Sequence, residues 1–209
     1  MKISKKELDK RLATVVKSEA KVHRLKKRGT ILFTRINDYF IYIVIIIAGF
    51  KHEKIHIAGY VKPYIIDDLF WKVFNMPSNS LEPMGLRANG AFKVDGINLY
   101  SKSVEYEKSD NIEITTKGLL DECLSKMLLI VDGFENYGKY LDFSREVGAN
   151  TLYDFLLVKM LLLIQEGRYF DAKEIADEQI LAKRFGRFKN EGKYIYEHIS
   201  EYCGKLLKV

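Results

Sequence analysis

Twelve consecutive residues, Tyr39 to Phe50, carry no charge; six are Ile or Val and four are aromatic. A membrane-spanning helix needs about 20 apolar residues, so this run is too short to cross a bilayer. β-Branched and aromatic side chains suit a pleated, packed surface better than a helix. The core of the run, Phe40-Ile-Tyr-Ile-Val-Ile-Ile-Ile, also lacks polar–apolar alternation. That pattern marks a strand covered on both faces. The chain therefore needs a sheet with material on each side of it.

The flanking residues supply partners. Thr30 to Ile36 reads as a strand, joined to the apolar run through Asn37-Asp38, a pair that tolerates positive φ. Lys54 to Val61 reads as a third strand, closed by Pro63. Asp95-Gly96 favours a type I′ turn, which predicts a hairpin with Val94 opposite Ile97 and Phe92 opposite Leu99. Ahead of the strands, Ser4-Lys-Lys-Glu7 is a capping-box pattern. Leu8, Leu12, Val15, Val22 and Leu25 follow at helical spacing, predicting an amphipathic helix that ends near Gly29. Asp67 or Asp68 is placed to cap a short helix through Phe74 that Pro77 ends.

After Tyr106 the period changes. Leu120, Cys123, Leu124, Met127, Leu128, Val131 and Phe134 form a helical stripe, and the segment from Thr151 to Ile164 is apolar almost all round. Further helices are expected over Ala172–Ala182 and from about Asn190 to Leu206. The stretch Leu161–Ala176, with Gly167 and Tyr169 at its turn and Ala172 beyond it, resembles the middle of a tetratricopeptide unit. No second copy is present, so it implies one helical hairpin. Strands followed by helices predict an α+β fold. It comprises an N-terminal amphipathic helix, an antiparallel hairpin sheet and a C-terminal helical bundle. The expected division is a sheet domain over residues 1–108 and a helical domain over 109–209, packed together.

Charge is distributed unevenly. The net charge is +6, yet residues 1–28 hold eleven Lys/Arg against Glu7, Asp9 and Glu19, a net of +8, which leaves −2 for the rest. Such a segment attracts phosphates or acidic surfaces, or serves as a solvated helix face. Cys123 and Cys203 lie far apart without ligand spacing and read as buried hydrophobes in a reducing compartment. With no continuous apolar stretch in the first thirty residues, no signal peptide and a cytoplasmic location are expected.

Few motifs carry chemistry. His52-Glu53-Lys54-Ile55-His56 matches H-E-x-x-H, which in zinc hydrolases sits on a helix and needs a third ligand, here Asp67 or Asp68. The β-branched surroundings favour a strand turn instead. His23 and His198 stand alone in the sequence and read as surface groups. Lys183, Arg184, Arg187, Lys189 and Lys193 interleave with Phe185, Phe188 and Tyr194, a pattern usable for nucleic acid but more often one of inward aromatics under wet cations. No glycine-rich phosphate loop, nucleophile elbow or C-x-x-C pair occurs.

The segments Lys62-Pro63-Tyr64, Asp67-Asp68-Leu69-Phe70-Trp71 and Leu86-Arg87-Ala88-Asn89-Gly90-Ala91-Phe92 carry a resemblance. Over about residues 25–105 the chain resembles a group of small, uncharacterised bacterial proteins with such "KP…DDLFW" and "RANGAF" segments, related to families suspected of acting as immunity proteins in toxin systems. The resemblance transfers no catalytic residues. It implies a cytoplasmic, immunity-like binding protein.

The expected function is thus a non-enzymatic protein-interaction module without cofactor or bound metal, contacting a protein partner and no membrane. Trp71, Arg87 and Asn89 are the candidate binding residues. The alternatives are nucleic-acid binding through residues 1–28, and zinc-dependent hydrolysis through His52, Glu53 and His56.

Overall fold

Ser4 opens the first helix by accepting the Glu7 N–H at 3.3 Å on its hydroxyl oxygen, as the capping pattern predicts. The computed structural model describes residues 4–48, 54–105, 111–147 and 152–208. In chain order its elements are α1 (Lys5–Val22), β1 (Lys26–Arg28), β2 (Ile31–Ile36), β3 (Tyr39–Ala48), β4 (Lys54–Pro63), α2 (Ile66–Val73), α3 (Leu86–Asn89), β5 (Ile97–Glu105), α4 (Ile112–Asp132), α5 (Tyr137–Glu146), α6 (Leu152–Gln165), α7 (Tyr169–Leu181), β6 (Lys189–Asn190), β7 (Lys193–Tyr194) and α8 (Ile195–Leu206). The fold is α+β, with one antiparallel five-stranded sheet in the order β1-β2-β3-β4-β5. The apolar run becomes β3, the middle strand, and its first five residues are buried on both faces.

Two local expectations are corrected. The first helix stops at Val22, short of Gly29: Arg24 takes φ +55 and the Leu25 N–H closes on the Ala20 carbonyl at 2.8 Å. That left-handed exit ends the helix and frees Lys26–Arg28 to pair antiparallel with β2. Three exposed cations on an edge strand hinder pairing with another sheet. The Asp95-Gly96 hairpin does not form. A type I′ turn needs positive φ at both central residues, and neither has it. Long-range bonds set this segment instead. The Val94 N–H donates to Asp67 Oδ1 at 2.9 Å, the Gly96 N–H donates to the Tyr42 hydroxyl at 3.2 Å, and Ile97 pairs with Val61 on β4. The Asn37-Asp38 turn forms as expected, with Asn37 at φ +51 and Ile36 opposite Tyr39.

The chain divides into two compact units, Met1–Lys62 with Gly96–Phe134, and Pro63–Asp95 with Glu135–Val209. The expected boundary near residue 108 falls inside the first unit. There α4 packs against the sheet at Gly59, where any Cβ would strike the Met127 and Cys123 side chains. In the second unit Phe70, Phe74, Phe92 and Phe188 share one aromatic cluster, with ring centroids 4.8 Å apart for Phe70 and Phe188 and 5.9 Å for Phe74 and Phe92. That cluster explains why α2 belongs with the later helices. The helical hairpin forms from α6 and α7 around Gly167, at φ +75. No helix among the described residues is long and apolar enough to cross a membrane.

Candidate functional site

The second unit holds two of the candidate features. Trp71 on α2 is fully buried, and its indole N–H donates to the Phe92 carbonyl at 2.6 Å. Arg87, on the short α3, is 3% exposed. Its guanidinium lies over the rings of Tyr64 and Trp71, at 4.6 and 5.0 Å, and donates to Asp68 Oδ1 at 2.5 Å. Asp67 and Asp68 therefore do not cap α2. They sit in its first turn, where the helix dipole favours them, and clamp the 86–95 segment to it. Trp71 and Arg87 form an internal clamp, and Asn89 is the one of the three candidates open to solvent. The neighbouring cleft of about 620 Å³ is lined by Phe92, Lys93, Asp95, Arg187 and Lys189, three cations against one carboxylate. Lys93 and Arg187 both engage Asp95, outweighing its burial and holding its carboxyl below the usual range. Lys189 lies over the Tyr194 ring at 5.2 Å.

A second feature of this unit was not read from the sequence. Phe170, Lys173, Glu174, Asp177, Glu178 and Leu181 of α7 line a groove of about 660 Å³, completed by Leu207 just beyond α8. Phe170 is 64% exposed, Leu181 87% and Leu207 48%. Large apolar side chains grouped at this exposure mark contact sites rather than ordinary surface. Lys173 pairs with Asp177, which also accepts from the Ser200 hydroxyl at 2.5 Å. Glu174 and Glu178 remain exposed, so the lining carries one cation against three carboxylates, a net of −2.

No family model, no curated protein and no solved structure matches the chain. The reading of function therefore rests on the geometry.

His52 and Glu53 lie outside the described residues; His56 is on strand β4, with its Nδ1 2.9 Å from Ser103 Oγ. The described lysines and arginines of α1 line its solvated side, opposite buried Leu8, Leu12, Val15 and Val16. In the 183–194 stretch Phe188 packs inward, Phe185 stacks on Tyr194 at 5.5 Å, and the five cations stay exposed. His198 is not a surface group: it is buried, lies 4.9 Å edge-on to Phe74, and its Nε2 is 3.1 Å from the Asn190 carbonyl. Burial pushes the Cys123 thiol up to about 12 and the Cys203 thiol to about 11, as inert hydrophobes should behave.

In the first unit an electrostatic strap joins α4 to β5. Lys102 and Lys126 donate to Glu122 at 2.7 and 2.9 Å and hold its carboxyl down at about 2. A depressed carboxyl contributes stability above its unfolded value, near 4.5, and loses it as the pH falls towards 2. Glu122→Gln is accordingly expected to be less stable than wild type at pH 7, with the gap closing between pH 4.5 and 2 in denaturant titrations. A gap that stays constant across that window would contradict the strap.

Proposed function

We propose that the chain is a non-enzymatic protein-binding module whose α7 groove receives a basic amphipathic helix of a partner protein. The carrying observation is the grouping of three exposed apolar side chains with two exposed carboxylates on one surface. Phe170, Glu174, Asp177, Glu178 and Leu181 follow helical spacing along one face of α7. From Phe170 to Leu181 the face rises about 17 Å, room for about three turns of a docked helix. Such a helix would anchor at i, i+3 or i+4 and i+7, while its lysines or arginines meet Glu174 and Glu178. The immunity-like role implied by the sequence resemblance would make that partner a toxin, and a reducing cytoplasmic setting suits the two buried thiols.

The test uses a fluorescent synthetic peptide of about 14 residues, built from leucine and lysine with leucines at helical spacing, and a scrambled peptide of equal composition. Binding is followed by anisotropy. The patterned peptide is expected to bind about tenfold more tightly than the scrambled one, and Leu181→Asp to remove that advantage. Equal binding of both peptides, or an unchanged affinity in Leu181→Asp, would refute the groove.

A further inference from the structure

We propose that Glu19, His23 and Asp121, none of them part of the H-E-x-x-H match, form a zinc site in the first unit. Glu19 and His23 are one helical turn apart at the end of α1, and Asp121 faces them from α4. His23 Nε2 lies 3.1 Å from Asp121 Oδ1 and 3.5 Å from Glu19 Oε2, and the three ligand atoms all fall within 4.8 Å of one another.

Two observations point to a cation rather than to an ordinary polar cluster. First, Glu19 is 8% exposed, and neither its Oε2 nor His23 Nε2 has a hydrogen-bond partner among the described residues. His23 Nε2 stands at ion-pair distance from both carboxylates without a hydrogen bond to either, and a metal ion would satisfy the three ligand atoms at once. Second, the spacing suits tetrahedral zinc. With metal–ligand bonds of about 2.0–2.1 Å, neighbouring ligand atoms stand about 3.3 Å apart, close to the two distances to His23, while the Glu19 and Asp121 oxygens lie within 4.8 Å of each other. One imidazole with two carboxylates is a borderline donor set of the kind zinc accepts.

The site also has an open side. His23 and Asp121 form part of the wall of a cavity of about 530 Å³, lined further by Ile36, Ile41, Leu124 and Leu128. Three protein ligands leave the fourth position to a water or a small oxygen donor entering from that cavity. The zinc site lies wholly in the first unit and the groove wholly in the second, so either can fail without the other.

The test is calorimetric titration of the chelator-treated full chain with zinc chloride alone, alongside the visible spectrum with Co²⁺. One zinc per chain and the intense bands of four-coordinate Co²⁺ are expected. Asp121→Asn, at a half-exposed position, and Glu19→Gln should each weaken zinc binding by about 100-fold or more, with unchanged far-UV circular dichroism. His56→Ala should bind as wild type does. Absence of uptake by wild type, undiminished affinity in Asp121→Asn, or loss of binding in His56→Ala would each overturn the assignment.

Discussion

Trp71→Ala is expected to lower stability by about 3–5 kcal/mol, the largest single effect in the molecule. The side chain is fully buried, so truncation leaves a large cavity. It also strands the Phe92 carbonyl, which accepts the indole N–H at 2.6 Å, and removes one of the two rings beneath Arg87. Trp71→Phe separates these contributions. It retains most of the packing and loses the donated bond, at about 1–2 kcal/mol. Denaturant unfolding followed by far-UV circular dichroism measures both, since Trp71 is the sole tryptophan and its fluorescence disappears with it. Equal losses in the two variants would mean that the hydrogen bond, not the ring volume, dominates.

Arg87→Met comes second, at about 2–4 kcal/mol. Removing one member of a buried ion pair leaves the other charge uncompensated, at a typical cost of about 3–5 kcal/mol. Asp68 keeps a quarter of its side chain in water and lies in the first turn of α2, so part of that penalty is relieved. Arg87→Lys retains the charge but loses the flat guanidinium that stacks on Tyr64 and Trp71. It should fall between wild type and Arg87→Met. Asp68→Asn combined with Arg87→Met should recover about 1–3 kcal/mol relative to the sum of the single losses. Strict additivity would show that Arg87 stabilises through stacking alone.

Features set by neighbours along the chain were legible in the sequence: the Ser4 cap, the Asn37 turn, the central strand β3 and the Gly167 turn all formed as read. Features set by distant partners were not. Lys26–Arg28 looked like the tail of a helix because the left-handed turn at Arg24 carries no glycine to announce it. Asp95-Gly96 has the composition of a tight hairpin, yet Asp67, Arg187 and Tyr42 claim that segment from far along the chain. Asp67 and Asp68 looked like caps because their partners, Val94 and Arg87, are about twenty residues or more away.

The same distinction governs the sites. The Glu19–His23 spacing is visible in the sequence, but Asp121 arrives from a helix nearly a hundred residues later. Phe170 and Leu181 carry the period of an ordinary buried stripe. Nothing local tells that they face outward while Ala172 and Ala176 face in.

Amide chemical-shift mapping of the isotope-labelled chain with the patterned leucine–lysine peptide tests the binding groove most directly. Shifts concentrated in residues 169–181 and 203–208 are predicted. Shifts concentrated in α1 and β1, with α7 unmoved at saturating peptide, would contradict the proposed function.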